Sequence, residues 1–278
     1  GVRIRDWKAG GHGDQSMLEV IMNSCNPGFI ELGQRLGKEK LFEYIRAYGF
    51  NEKTGVDMLG ESQGIIFNPD NIGNVELATS SFGQGNSVTP IQLVTAVSAA
   101  VNGGNLMQPY IVKRMLHPYT NEILYEREPS IKRRVISEET SETMRYALEM
   151  VGAQGSGKGA YIDGYRVGGK TGTAQKAKDG AYISGEYILS LVGIAPMDDP
   201  QLVVYVAIDN PKNTVQYGGV VAAPIARSIL AEALPYIGVE PREEQIEKKY
   251  LWTDTKYVTV PDFVGKEPKE IESSYLYN

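Results

Sequence analysis

The chain has 278 residues, 42% of them hydrophobic and 22% charged, a composition that supports a real core and excludes a disordered, collagenous or coiled-coil chain. Its formal net charge of −6 argues against nonspecific nucleic-acid binding, which needs a basic footprint. The single cysteine, Cys25, excludes an internal disulfide framework and a multi-cysteine metal site, and the two histidines, His12 and His117, argue against a histidine-rich metal centre and a Ser-His-Asp triad.

Both histidines read as loop residues, His12 among Gly10, Gly11 and Gly13, and His117 ahead of Pro118. No apolar run reaches the roughly 18–20 residues of a membrane span, and no signal peptide is visible. The chain opens on Gly1 and runs straight into the alternating segment Val2-Arg3-Ile4-Arg5-Asp6-Trp7, which reads as the middle of a domain; the sequence is expected to be a piece of a longer protein.

In chain order, Asp14 or Ser16 can cap a helix carrying Met17, Leu18, Val20 and Ile21. Asn23-Ser24-Cys25-Asn26-Pro27-Gly28 breaks it. A second amphipathic run carries Phe29, Ile30, Leu32 and Leu36 and stops at Gly37; a third carries Leu41, Phe42, Ile45 and Tyr48 and closes at Gly49. Asn51 to Asn74 is rich in turns. Thr89-Pro90 then starts a helix through Ile91, Leu93, Val94, Val97 and Ala100, because a Thr cap followed by Pro is a strong start signal. Tyr110 to Met115 and Glu122 to Tyr125 read as strands about a turn, and Ser137 opens a helix with Met144, Leu148 and Val151. Tyr165 to Lys176, Tyr187 to Ala195 and Leu202 to Ile208 read as an antiparallel meander, followed by a helix from about Ala223 to Leu234. Helices, then strands, then a closing helix predict an α+β fold with the sheet packed between helices.

Three stretches could carry chemistry. Gly152-Ala153-Gln154-Gly155-Ser156-Gly157-Lys158-Gly159 approaches a phosphate-binding loop, but Gly159 stands where Ser or Thr should ligate magnesium. It also follows a helix and leads toward a strand, so a helix-to-strand connection is the better reading. In Gly168-Gly169-Lys170-Thr171-Gly172-Thr173-Ala174-Gln175, strand alternation puts Thr171, Thr173 and Gln175 on one side and Lys170 on the other. Gly172 between them has no side chain to block a ligand approaching the backbone. The bland alternative is a polar edge strand protected by its lysine. In Ser24-Cys25-Asn26, an extended loop would point Ser24 and Asn26 to one site and turn Cys25 into the core. For that triplet taken alone, a polar helix end, with Ser and Asn satisfying free backbone groups, is the better reading.

Taken together and in this order, Ser24-x-Asn26 and Lys170-Thr171-Gly172 resemble two of the three signature motifs of the penicillin-binding and serine β-lactamase superfamily. Ile4-Arg5-Asp6-Trp7, Ser80-Ser81-Phe82-Gly83-Gln84-Gly85 and Val88-Thr89-Pro90-Ile91-Gln92 resemble class B penicillin-binding proteins, the monofunctional transpeptidases, and among them the sporulation branch. Val260-Pro261-Asp262-Phe263-Val264-Gly265 resembles the start of a PASTA module. The resemblance implies a transpeptidase portion over 1–238, a linker over 239–256 and a truncated PASTA-like start over 257–278. It implies Ser24, Asn26, Lys170 and Thr173 as catalytic residues and Thr171, Gly172, Thr173, Trp7 and Gln84 as substrate-binding ones. For Trp7, core packing is an equal alternative.

The third family motif, Ser-x-x-Lys with the nucleophile, is not in these 278 residues; the family places it upstream of Ser-x-Asn. The expected partners are peptidoglycan stem peptides ending in D-Ala-D-Ala, β-lactams and a glycosyltransferase, with no nucleic acid, no metal and no organic cofactor. The expected location is the outer face of the bacterial cytoplasmic membrane, reached through an anchor upstream of Gly1. A penicillin-sensing module of the same fold and a β-lactamase are the alternatives; a β-lactamase needs a deacylating base, and none is assignable.

Overall fold

The computed structural model describes residues 3–178 and 181–250. The elements run α1 (Met17–Asn23), α2 (Asn26–Leu36), α3 (Lys38–Ala47), α4 (Asn74–Ser81), α5 (Pro90–Val101), β1 (Asn105–Met107), β2 (Arg114–Leu116), β3 (Ile123–Glu126), β4 (Ile131–Arg134), α6 (Glu138–Gln154), β5 (Gly168–Lys178), β6 (Ala181–Ala195), β7 (Leu202–Asp209), α7 (Gly218–Val221) and α8 (Ala223–Tyr236). Helices precede the main sheet and α8 closes it, as the α+β reading expects.

Local chemistry starts several helices. Ser16, not Asp14, caps α1: its hydroxyl accepts from the Glu19 amide at 3.3 Å, while the Glu19 carboxylate takes the Ser16 amide at 2.7 Å. Thr89 and Gln92 repeat this box at α5. Gln92 is buried, and its side-chain amide also donates to the carbonyls of Glu52 at 2.7 Å and Gln63 at 2.9 Å. It thereby holds the turn-rich stretch before α4 against the helix. The sequence reading missed α4, and also β1 and β4, which pair antiparallel with a break in register after Leu106. The first strand of the exposed β2–β3 hairpin begins at Arg114 rather than Tyr110.

β5, β6 and β7 form an antiparallel sheet in that spatial order, with Lys170 opposite Val192, Gly172 opposite Ser190 and Thr173 opposite Leu189. Strand alternation makes both faces of β6 apolar. Leu191 and Ala195 face Ala226, Leu230 and Leu234 of α8. Val192 and Ile194 face Val101 of α5 and Leu148 of α6. The sheet is therefore sandwiched between helices. Full burial of a leucine such as Leu230 contributes about 1.5–3 kcal/mol.

Helix α6 comes unusually close to β5, because a side chain at Gly152 would collide with the Val167 carbonyl. An ion pair fixes the approach. Glu149 of α6 is buried and accepts two hydrogen bonds from the Arg166 guanidinium at 2.9 and 2.7 Å, just ahead of β5.

Residues 239–250 hold no helix or strand, but they lie against the domain. The Arg242 amide donates to the Gly164 carbonyl at 2.7 Å, its guanidinium pairs with Asp198 at 2.6 Å, and the Lys249 amide donates to the Ala153 carbonyl at 3.0 Å. The expected PASTA-like start lies outside the described residues, as does the Asp179-Gly180 turn.

Replacing Glu149 with Ala should destabilise the chain by about 2–3 kcal/mol in urea unfolding, because it leaves Arg166, itself one-third exposed, with only the longer 4.0 Å pair to Asp198 and opens a buried gap. An unchanged midpoint would show that the pair does not fix α6 on β5.

Candidate active site

β5 pairs only with β6 among the described strands, so it forms one edge of the sheet. Every second backbone group on its free side is available to a ligand. As the alternation predicted, Lys170 projects on one face and Thr171 and Thr173 on the other.

On the lysine face, α1 packs against α6 and ends beside β5. Lys170 Nζ donates to Ser24 Oγ at 2.7 Å and to the Thr171 carbonyl at 3.0 Å, joining two segments 146 residues apart. Among the described residues no carboxylate pairs with this amine. The residue is partly exposed along its length, but its amino end is enclosed. Burial without a counter-charge pushes the Lys170 amine down to about 8. The ammonium is therefore charged at pH 7, and its charge is lost as pH rises through about 8.

The junction holding Ser24 is not the extended loop that the spacing suggested. Ser24 caps the C-terminus of α1 in the left-handed conformation, φ 53° and ψ 47°, which costs a non-glycine residue about 1–2 kcal/mol. Cys25 alone is extended, and Asn26 already begins α2. The helix end thus turns Ser24 toward Lys170, while Asn26 Nδ2 of the side chain donates to the Arg5 carbonyl at 3.5 Å. Among the described residues, Lys170 has no hydrogen bond to Asn26. Cys25 is buried, as expected.

On the threonine face, the Thr171 hydroxyl is 3.0 Å from the Ser156 hydroxyl. The Ser156 amide donates to the Met22 carbonyl at 2.9 Å, next to Ser24's own helix end. Thr173 is exposed, and its hydroxyl accepts from the Gly218 amide at 3.4 Å. Gly172 is required by packing as well as by any ligand: a side chain there would run into the Ser190 hydroxyl. Gly218 is constrained too, because its missing side chain would meet the carbonyls of Ser190 and Gly172.

The resemblance to a phosphate-binding loop has a structural explanation. A side chain at Gly155 would strike the Met22 carbonyl, one at Gly159 the Gly219 carbonyl, and one at Gly219 the Ser156 carbonyl. These glycines let three backbone segments meet beneath β5. Sequence reasoning missed Ser156 and Gly218, since nothing local marks them; only the tertiary contact does.

Trp7 is half exposed. Its indole N–H donates to the Asn23 carbonyl at 2.8 Å, and its ring meets Tyr217 edge-on at 5.6 Å. It therefore spans from the end of α1 to the residue preceding Gly218, bordering the site rather than filling the core. Gln84 lies in the turn after α4, its amide on the Thr79 carbonyl, and among the described residues no hydrogen bond joins it to Ser24, Lys170 or Thr173.

Residues 1–231 match the family described as the penicillin-binding protein transpeptidase domain. The chain belongs to this family. The transpeptidase-domain chain is 59% identical to stage V sporulation protein D of Bacillus subtilis over 98% of its own length and 42% of that protein's. It is 31% identical to the peptidoglycan D,D-transpeptidase FtsI homolog of Mesostigma viride, over 81% and 40%. Among solved structures, it superposes on penicillin-binding protein 3 of Mycobacterium tuberculosis complexed with ampicillin with a TM-score of 0.79 at 31% identity, covering 87% of this chain and 55% of that one. The transpeptidase domain of penicillin-binding protein 3 from Burkholderia pseudomallei gives a TM-score of 0.70 at 32% identity, over 80% and 64%. The chain spans less than half the length of these curated relatives.

The enclosed amine makes a direct prediction. In a lysine-labelled sample followed by NMR, one side chain should titrate with a midpoint of about 8, and that signal should vanish in Lys170→Arg. A Lys170 midpoint near the ordinary 10.5 would contradict the enclosure.

Proposed function

We propose that this chain forms the substrate-holding part of a serine acyl-transfer site that cross-links peptidoglycan stem peptides ending in D-Ala-D-Ala. The observation that carries this reading is the 2.7 Å contact between Lys170 Nζ and Ser24 Oγ. It brings Ser-x-Asn and Lys-Thr-Gly into one place, as a shared proton path requires.

In this reading the nucleophilic serine and its lysine come from a Ser-x-x-Lys motif that these 278 residues do not contain. A serine hydroxyl is a weak nucleophile at neutral pH and needs that neighbouring base. It attacks the carbonyl between the two alanines, an acyl-enzyme forms, and D-Ala leaves. An amine from a neighbouring peptide then takes the acyl group. Lys170 donates to the Ser24 oxygen, so the Ser24 hydrogen is free for the leaving nitrogen, and Ser24 relays the proton. Asn26 offers an amide donor and acceptor to the substrate backbone.

The positive charge on Lys170 favours the substrate's terminal carboxylate. Thr173, exposed and held by the Gly218 amide, receives that carboxylate together with Thr171. The Thr173 backbone N–H, on the free edge of β5, forms half of the oxyanion hole; one such donor is typically worth about 3–4 kcal/mol. Gly172 keeps that edge flush. Trp7 borders the groove, and Gln84 is a further substrate-binding candidate.

β-lactams would acylate the same serine, a reading supported by the ampicillin complex of the M. tuberculosis relative. The similarity to stage V sporulation protein D supports a role in sporulation; the proposal further places the site on the outer face of the cytoplasmic membrane, with a glycosyltransferase supplying glycan strands. Among the described residues no helix is long and apolar enough to cross a membrane, so the anchor in this proposal lies outside them.

Intact-mass analysis after incubation with penicillin should show no covalent adduct on the 278-residue chain. The longer protein carrying Ser-x-x-Lys should gain one penicilloyl group. In that longer protein, Lys170→Ala should slow acylation at least about 100-fold. An adduct on the short chain, or near-normal acylation by the variant, would overturn the assignment.

A further inference from the structure

The residue between Ser24 and Asn26 belongs to a second cluster. The Cys25 thiol donates to Asp6 Oδ2 at 3.5 Å, and the same oxygen is in direct hydrogen-bond contact with His12 Nδ1. The sulfur, the imidazole nitrogen and the carboxylate oxygen lie within 4.8 Å of one another. The His12 and Asp6 side chains are 7% and 4% exposed, and Cys25 is 5% exposed. His12 is a loop residue, as its glycine neighbours suggested, but one whose ring is buried.

The loop is shaped to put it there. Gly10, Gly11 and Gly13 all have positive φ, at 83°, 77° and 72°, and a side chain at any of them would meet nothing. These glycines serve the turn itself, which folds His12 back onto Asp6. The other Asp6 oxygen accepts the Trp7 amide at 2.8 Å, and the Trp7 ring meets His12 edge-on at 5.4 Å. The carboxylate is thus oriented, and the ring is shielded from water, as in the outer shell of a metal site.

We propose that Asp6, His12 and Cys25 bind a thiophilic divalent cation of the zinc class, which pins the junction that carries Ser24. Thiolate, imidazole and carboxylate together are the donor set that such a cation prefers. Bonds of about 2.0–2.3 Å in a tetrahedral site place ligand atoms roughly 3.3–3.8 Å apart, so entry of the cation replaces the direct His12–Asp6 hydrogen bond. Water fills the fourth position. On binding, the Cys25 S–H bond is replaced by a sulfur–metal bond and its proton passes to solvent, while the hydrogen that His12 Nδ1 shares with Asp6 is exchanged through solvent to Nε2, which leaves Nδ1 free to ligate the cation. A dication with one thiolate, one carboxylate and a neutral imidazole is uncharged overall, which suits a buried place.

Cobalt(II) tests this, because a thiolate–cobalt bond gives a near-ultraviolet charge-transfer band and tetrahedral coordination gives intense visible bands. Cys25 is the sole cysteine, so the charge-transfer band reports on it alone. Titration of the EDTA-treated 278-residue chain should saturate at one equivalent. Cys25→Ser should lose the band, and His12→Ala should weaken binding at least about tenfold. Zinc added to the wild-type chain should raise its melting temperature, a readout that needs no variant. Absence of the band in the wild-type chain, its persistence in Cys25→Ser, or a melting temperature indifferent to zinc would overturn the proposal and leave a plain hydrogen-bonded cluster. None of these readouts depends on transpeptidase activity.

Discussion

The site depends on one costly arrangement: a lysine amine removed from water with, among the described residues, no carboxylate beside it. Burial of such a charge is unfavourable unless oxygens replace its hydration. Here the Ser24 hydroxyl and the Thr171 carbonyl do so. The cost is useful at this place. In the proposed reaction, a counter-ion would quench the field that attracts an anionic substrate end and would compete for the proton shared with Ser24. The left-handed backbone at Ser24 is a second local cost of the same arrangement, held in place by the helix end that it caps.

What supports that arrangement is backbone packed on backbone. Gly152 admits α6 to the start of β5; Gly155 admits the following turn to the end of α1. Gly159, Gly218 and Gly219 bring that turn, α7 and β5 together. Ser156 sits at the centre of this packing, with its amide on α1 and its hydroxyl on Thr171. The two motifs are thus held by contacts close enough that a single methyl group would disturb them. The Asp6–His12–Cys25 cluster reaches the same junction through Cys25, the residue that follows Ser24.

Much of this was legible in the sequence. The meander, the helix starts at Ser16 and Thr89, and the opposed directions of Lys170 and Thr171 all follow from short-range patterns that the fold respects. α4 escaped because Asn74–Ser81 lacks a marked apolar stripe, and β1 with β4 because strands that short become strands only by pairing. At the site, Lys170 was readable from its motif, whereas Ser156 and Gly218 were not, since their roles exist only once distant segments meet. The glycine run 152–159 imitated a nucleotide loop for the same reason: glycine marks close approach without naming what approaches. His12 and Cys25 were each judged alone, so a mixed cluster with Asp6, built across the break between α1 and α2, stayed hidden.

The central claim is that Ser24 and Lys170 act as one unit. A double-mutant cycle measures this directly, using β-lactam acylation rates of the protein that includes the nucleophile, with Ser24→Ala, Lys170→Ala and both. If the unit is real, the double variant acylates no more slowly than the worse single variant, because the shared proton path is already broken. Losses that simply add would contradict the account, showing that the 2.7 Å contact is an accident of packing.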